Sequence, residues 1–253
     1  MTTATRTKVR IGVFVPSEVQ LLDLACVDFF AMMSHEYLVP LKMLPSSLTD
    51  LAPEISIAYI GTASTVPTTA TTKISTTHLV SDPEVAPGRL DVVLVPGPDP
   101  FSSWGEDVKG WLRGHGGREE TDVLCVCTGI FLVGDAGLLT GKTICGPRGL
   151  QNKIRERYEG VKTVGDRFRW VRDGNLWTSG GVTNGNDLVV AYARQTPRFF
   201  PSPVVEIAAQ LADIGDRPRE LGTSQAVWGM GMAWQLLKAL VMRTTGVGKA
   251  KST

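Results

Sequence analysis

The chain has 253 residues, 43% of them apolar and 20% charged, with a formal net charge of +1. This balance supports a sizeable core in one α/β domain or two small ones, and gives no electrostatic case for binding nucleic acid or an anionic membrane. Cysteines at 26, 125, 127 and 145 form no CxxC pair, and His35, His78 and His115 lie far apart without ligand spacing, so no metal site is expected.

No secretory pattern opens the chain, and free thiols in a reducing, cytoplasmic setting are expected. Residues 1–7 and 243–253 read as disordered tails around one domain at 8–242. Residues 8–15 (KVRIGVFV) are a β-branched run, predicted as the first, central strand. Apolar residues then recur at helical spacing from Val19 to Phe30. Asp23 lies just past that strand's C-terminal end, the edge of an open parallel sheet where ligands bind. Residues 31–55 read as helix end and loop, and 54–60 (EISIAYI) as a strand. The Thr-rich stretch 61–81 reads as a β-ribbon or, alternatively, a low-complexity linker. Residues 90–96 (LDVVLVP) are a buried strand that runs into Gly97-Pro98-Asp99-Pro100, and 104–112 a short amphipathic helix.

Residues 122–132 (DVLCVCTGIFL) join a buried strand to an apolar helix through a sharp turn at Cys127. Such a turn lifts its residue out of the sheet, and the helix N-terminus behind it favours thiolate. A buried cysteine beside a core helix is the competing reading. Further on, the pattern predicts strands near 143–145, 161–164, 168–172 and 176–179. Helices are predicted at 150–158, 187–194 and 204–212. The tail 226–242 (AVWGMGMAWQLLKALVM) is short for a membrane span. It reads as a core or interface helix in preference to a membrane-surface one, and no stable membrane insertion is expected. Strands alternating with helices predict a parallel sheet with helices on both faces.

Three loops, at 16–23, 96–100 and 126–129, are expected to meet at one sheet edge. They would bring together a thiol, a carboxylate and the N–H groups of Gly97, Thr128 and Gly129 as donors to developing charge.

The residues that carry these loops resemble the DJ-1/PfpI (ThiJ-type) family, and within it the isonitrile hydratase-like members. The matching motifs are Leu22-Asp23-Leu24-Ala25, Val95-Pro96-Gly97, Val126-Cys127-Thr128-Gly129, the run 134–141 (GDAGLLTG), and Thr178-Ser179-Gly180-Gly181-Val182-Thr183 with Gly185 and Asp187. The resemblance implies a flavodoxin-like three-layer sandwich with a mostly parallel central sheet, a homodimer, a small-molecule substrate and no cofactor. It also implies that Cys127 attacks the terminal carbon of R–N≡C and that the thioimidate is hydrolysed to an N-substituted formamide. Asp23 would act as general acid/base, Thr128 as an orienting partner, and Gly97, Pro98, Asp99 and Gly129 would contact substrate.

The chain departs from the family pattern in two places. Pro98 stands where many relatives have a second glycine, which removes one backbone donor. Asp99 beside it reads as a turn cap in preference to a partner for Asp23. The histidine that many relatives carry is absent from Ile144-Cys145-Gly146-Pro147-Arg148, which argues against a Cys-His mechanism. Cys145 reads as core, and Arg148 as either an anion ligand or a helix-start residue. The three histidines read as surface or loop residues. Glu18 is the alternative carboxylate to Asp23. Two other readings stay open: a redox-responsive or ligand-binding protein that is not an enzyme, and a specialised biosynthetic enzyme on the same scaffold.

Overall fold

The computed structural model describes residues 6–245. Its elements are β1 (Lys8–Phe14), α1 (Ala25–Met32), α2 (His35–Leu38), α3 (Ser46–Thr49), β2 (Glu54–Gly61), β3 (Thr65–Pro67), β4 (Lys73–Ser75), β5 (His78–Leu79), β6 (Val92–Val95), α4 (Glu106–Gly116), β7 (Asp122–Cys125), α5 (Gly129–Asp135), β8 (Thr143–Ile144), α6 (Gln151–Arg157), β9 (Lys162–Thr163), β10 (Trp170–Asp173), β11 (Leu176–Ser179), α7 (Asn184–Gln195), α8 (Ser202–Ala212) and α9 (Gln225–Thr245). The seven-stranded sheet runs β10-β11-β7-β6-β1-β2-β5, with every pair parallel except β10–β11. β6 and β7 are buried along their whole length, as strands covered on both faces must be, and this is why β6, and β7 after Asp122, read as apolar runs.

One apolar layer packs α1, α7 and α8 on one face of the sheet. A second packs α4 and α5 on the other. Helix α4 turns Val108, Trp111, Leu112 and His115 inward at i, i+3, i+4 and i+7. The fold is thus a sandwich of helices around a mostly parallel sheet. From β1 the chain passes to β2 on one side and later to β6 on the other, so the loops after β1 and β6 diverge. The crevice between them is where such sheets hold ligands.

Several expectations are corrected. Residues 31–55 contain two single-turn helices, α2 and α3, too short to show a helical period. The Thr-rich stretch does hold the expected ribbon, antiparallel with Val66 opposite Ile74. Strands β8 and β9 pair with each other outside the main sheet. His115 is fully buried, not at the surface, and burial lowers its pKa to about 4. The expected tails fall largely outside the described residues, at 1–5 and 246–253. Within the described chain, Glu54 N–H donates to the Thr7 carbonyl (2.9 Å) and α9 runs to Thr245. Helix α9 is not core: Met230, Leu236 and Leu240 are 64%, 68% and 58% exposed. Among the described residues, no helix is long and apolar enough to cross a membrane.

Candidate active site

The loops after β1, β6 and β7 do meet at the sheet's C-terminal edge. Val126 N–H donates to Val95 O (2.9 Å), Gln20 N–H to Gly97 O (3.0 Å), and Gly97 N–H to Asp23 Oδ2 (2.9 Å). The Thr128 hydroxyl donates to Pro98 O (2.7 Å), and Val19 bridges both Pro98 and Thr68, which ties the β3–β4 ribbon to the same edge.

Cys127 sits at the turn with φ +56°, a left-handed conformation that a residue with a side chain rarely adopts. Strand β7 before it and helix α5 behind it hold it there, which is the geometry of a nucleophile elbow. Glycines on either side make the packing possible. A Cβ on Gly129 would lie 2.5 Å from Val95 O, and one on Gly97 would lie 2.5 Å from Thr128 Oγ1 and closer still to Asp23 Oδ2.

Asp23 is 1% exposed and Cys127 6%. Burial raises the Asp23 carboxyl to about 7, against the opposing pull of the Gly97 N–H. Burial also raises the Cys127 thiol to about 12. The Asp23 charge adds to that rise, while the Thr128 N–H pulls it back down. Desolvation and the neighbouring carboxylate thus act against the thiolate that a helix N-terminus favours. Asp23 Oδ1 is buried and accepts no hydrogen bond of good geometry, although the thiol lies close enough for the two groups to shift each other's titration. That free lone pair is where a proton can be taken up. Glu18 is exposed on the same loop, so Asp23 is the carboxylate beside the sulfur.

The four positions expected to contact substrate hold partners within this edge. Gly97 N–H is held by Asp23, and Gly129 N–H donates to Val126 O (3.0 Å). Pro98 offers only its carbonyl, which Thr128 occupies. Asp99 is exposed and caps its own turn, accepting from Phe101 N–H (3.0 Å). These bonds tie the four positions into the edge, and the Thr128 N–H is turned to the sulfur. Cys145 lies in the core with its Sγ toward Phe168 O (3.5 Å). Arg148 holds the start of α9: its guanidinium donates to Thr223 O (2.8 Å), Thr223 Oγ1 (3.1 Å) and Gln225 Oε1 (3.3 Å).

Two features escaped the sequence. Cys26 is buried with its Sγ toward Asp23 O (3.3 Å), fixing the turn that carries the carboxylate, and its helical spacing alone gave no hint of this. A cleft of about 410 Å³, lined by Leu21, Leu24, Asp28, Tyr59 and Ile74 among others, opens on the outer side of the same turn. Among the described residues, no group of three or more His, Cys, Asp or Glu could hold a metal ion.

Gly97→Ala tests how tightly this edge is built. The added methyl must displace Asp23 or Thr128, and misplacement of a catalytic group by about 1 Å costs on the order of 10²-fold in rate. Turnover should fall by that order while near-UV circular dichroism stays unchanged. Full activity in the variant would show that Asp23 does not act from this position.

The DJ-1/PfpI family model matches residues 28–195. Isonitrile hydratase from Pseudomonas putida is 32% identical over 125 residues, 49% of this chain and 53% of that protein, so the likeness spans about half the relative's length. Among solved structures, a ThiJ/PfpI family protein from Pseudomonas syringae superposes with a TM-score of 0.66 at 18% identity, covering 92% of this chain and 88% of its own. Drosophila melanogaster DJ-1beta gives 0.62 at 15%, covering 82% of this chain and 99% of its own. The structural likenesses concern the fold. With an elbow cysteine and a family match over residues 28–195, the chain belongs to the DJ-1/PfpI family and within it resembles isonitrile hydratase.

Proposed function

We propose that this protein is a cysteine-dependent hydratase that converts isonitriles to N-substituted formamides. The observation that carries the reading is the buried Cys127–Asp23 pair, with the thiol raised to about 12 and the carboxyl to about 7. Near neutral pH the sulfur is protonated and the carboxyl is poised between its two forms, which suits a group that must both accept and return a proton.

As sulfur attacks the terminal carbon of R–N≡C, Asp23 takes the thiol proton and passes it to that carbon, giving the thioimidate R–N=CH–S–Cys127. Water then adds to the same carbon. Its proton leaves through Asp23, the nitrogen is protonated, and the C–S bond breaks to release R–NH–CHO and restore the thiol. The net reaction consumes one water and needs no redox partner. The Thr128 N–H stabilises negative charge on sulfur as it leaves.

Access supports the same substrate. A cysteine only 6% exposed is reached most readily by a slim, linear group, and the isonitrile carbon lies at the end of one. The raised thiol also weighs against a peroxide-sensing role, which depends on an exposed, low-pKa thiolate. The test is incubation of the purified protein with an alkyl isonitrile and detection of the formamide by mass spectrometry. Turnover is the expected result. No formamide from any of several alkyl and aryl isonitriles would sink the proposal.

A further inference from the structure

Helix α9 spans 21 residues, about 31 Å, and a cluster of side-chain bonds ties its start to the body. Arg148 bonds Thr223 and Gln225 and its guanidinium lies 5.5 Å over the Trp228 ring, while Gln225 Nε2 returns a hydrogen bond to Arg148 O (3.2 Å). At 3.6 residues per turn, the face opposite Gln225 and Trp228 carries Val227, Met230, Trp234 and Leu237. These side chains are 51%, 64%, 55% and 50% exposed, and Leu236 and Leu240 beside them 68% and 58%, so the helix holds a run of bulky apolar side chains in solvent. On the helical wheel that apolar arc is continuous, and Lys238 and Arg243 stand at its two borders. Long cationic side chains placed there can lay their stems along an apolar layer while the heads reach an anion.

Charge is segregated in the same way. Residues 221–253 contain Lys238, Arg243, Lys249 and Lys251 and no acidic residue, leaving 22 basic against 25 acidic residues in the rest of the chain. We infer that α9 is a membrane-surface docking helix that lies in the plane of an anionic lipid bilayer, apolar face down, with Lys238 and Arg243 on the headgroup phosphates. A bilayer surface supplies both an apolar layer and the negative charge that the arc and its borders require. Pairing of α9 with its copy in a second protomer supplies only the first, because the helix has no carboxylate to meet either cation. Long enough to span a bilayer core, α9 falls short of the hydropathy that a membrane-crossing helix needs.

The experiment is co-sedimentation of the full chain with vesicles of phosphatidylcholine alone and of phosphatidylcholine with phosphatidylserine in equal parts. At about a factor of five per basic residue, four of them give at least about tenfold tighter binding to the anionic vesicles, and added salt should weaken it. Lys238→Glu with Arg243→Glu should remove most of that preference. Trp234→Ser with Leu237→Ser should release the protein from both vesicles. All four positions lie outside the body's core, so an unchanged near-UV spectrum serves as the folding control. The inference is overturned if the chain stays in the supernatant with both vesicles, or binds both equally. It is also overturned if the chain runs as a dimer that Trp234→Ser with Leu237→Ser converts to monomer without any vesicle binding.

Discussion

Replacing Cys127 with alanine should eliminate formamide production, a loss on the order of 10³-fold or more, while the protein stays folded. A nucleophile that forms a covalent intermediate leaves no substitute when it is removed, and the residual rate is then what binding alone provides. The structural cost is modest. One buried sulfur is lost at a site where the backbone is held by β7 and α5, and alanine meets the same left-handed strain at φ +56° that cysteine does. The discriminating measurement is intact-protein mass spectrometry during turnover. Wild-type protein should show an adduct heavier by the mass of one isonitrile, and Cys127→Ala none. An adduct that persists in the alanine variant would place the nucleophile elsewhere. Cys26, Cys125 and Cys145 are the remaining thiols, and all are buried. Turnover without any adduct in either protein would point to direct addition of water.

Much of this arrangement was legible in the sequence because it rests on local pattern. The apolar runs at 11–14 in β1, 92–95 in β6 and 123–125 in β7 are what strands buried on both faces require, and the turn from Val126 through Gly129 is set by residues adjacent in the chain. Asp23 was legible by its place just after β1. What was not legible depends on contacts between distant residues. Helix position argues for a thiolate at Cys127, but desolvation and the Asp23 carboxylate, 104 positions away in sequence, decide the titration. The glycine N–H groups look like free donors until the fold shows Gly97 bonded to Asp23 and Gly129 to Val126. The apolar spacing of α9 tells which face is apolar, not what covers it. Likewise Arg148 carries no mark of its hold on residues 223–225, and His115 none of its burial beneath Val85, where its Nε2 lies 3.1 Å from the carbonyl.

Asp23→Asn should reduce turnover by about 10²- to 10⁴-fold, the range for losing a general acid/base, and at the same time make the protein more stable at neutral and alkaline pH. Asparagine keeps an oxygen for the Gly97 N–H, so the loop geometry is retained, but it cannot take the proton from a thiol raised to about 12. In wild-type protein, kcat/KM should rise with pH through about 7 as the carboxylate forms, and that limb should vanish in the variant. The stability effect has the opposite sign to the common aspartate case. The folded carboxyl titrates near 7 and the unfolded one near 3.8. Below the lower value both states are protonated and the group is neutral in its effect. Between the two, the unfolded chain loses its proton first, so wild-type stability falls as pH rises, by about 1.4 kcal/mol per unit and a few kcal/mol in all. Above 7 the full cost of a buried carboxylate is present. The asparagine variant carries none of it, so urea midpoints of wild type and variant should converge near pH 4 and separate by pH 8, with the variant higher. The same desolvation that makes Asp23 costly to the fold lets it trade protons with Cys127 at neutral pH. A variant that lost activity with no gain in alkaline stability would show that Asp23 is solvated in solution, and the pair could not then work as described.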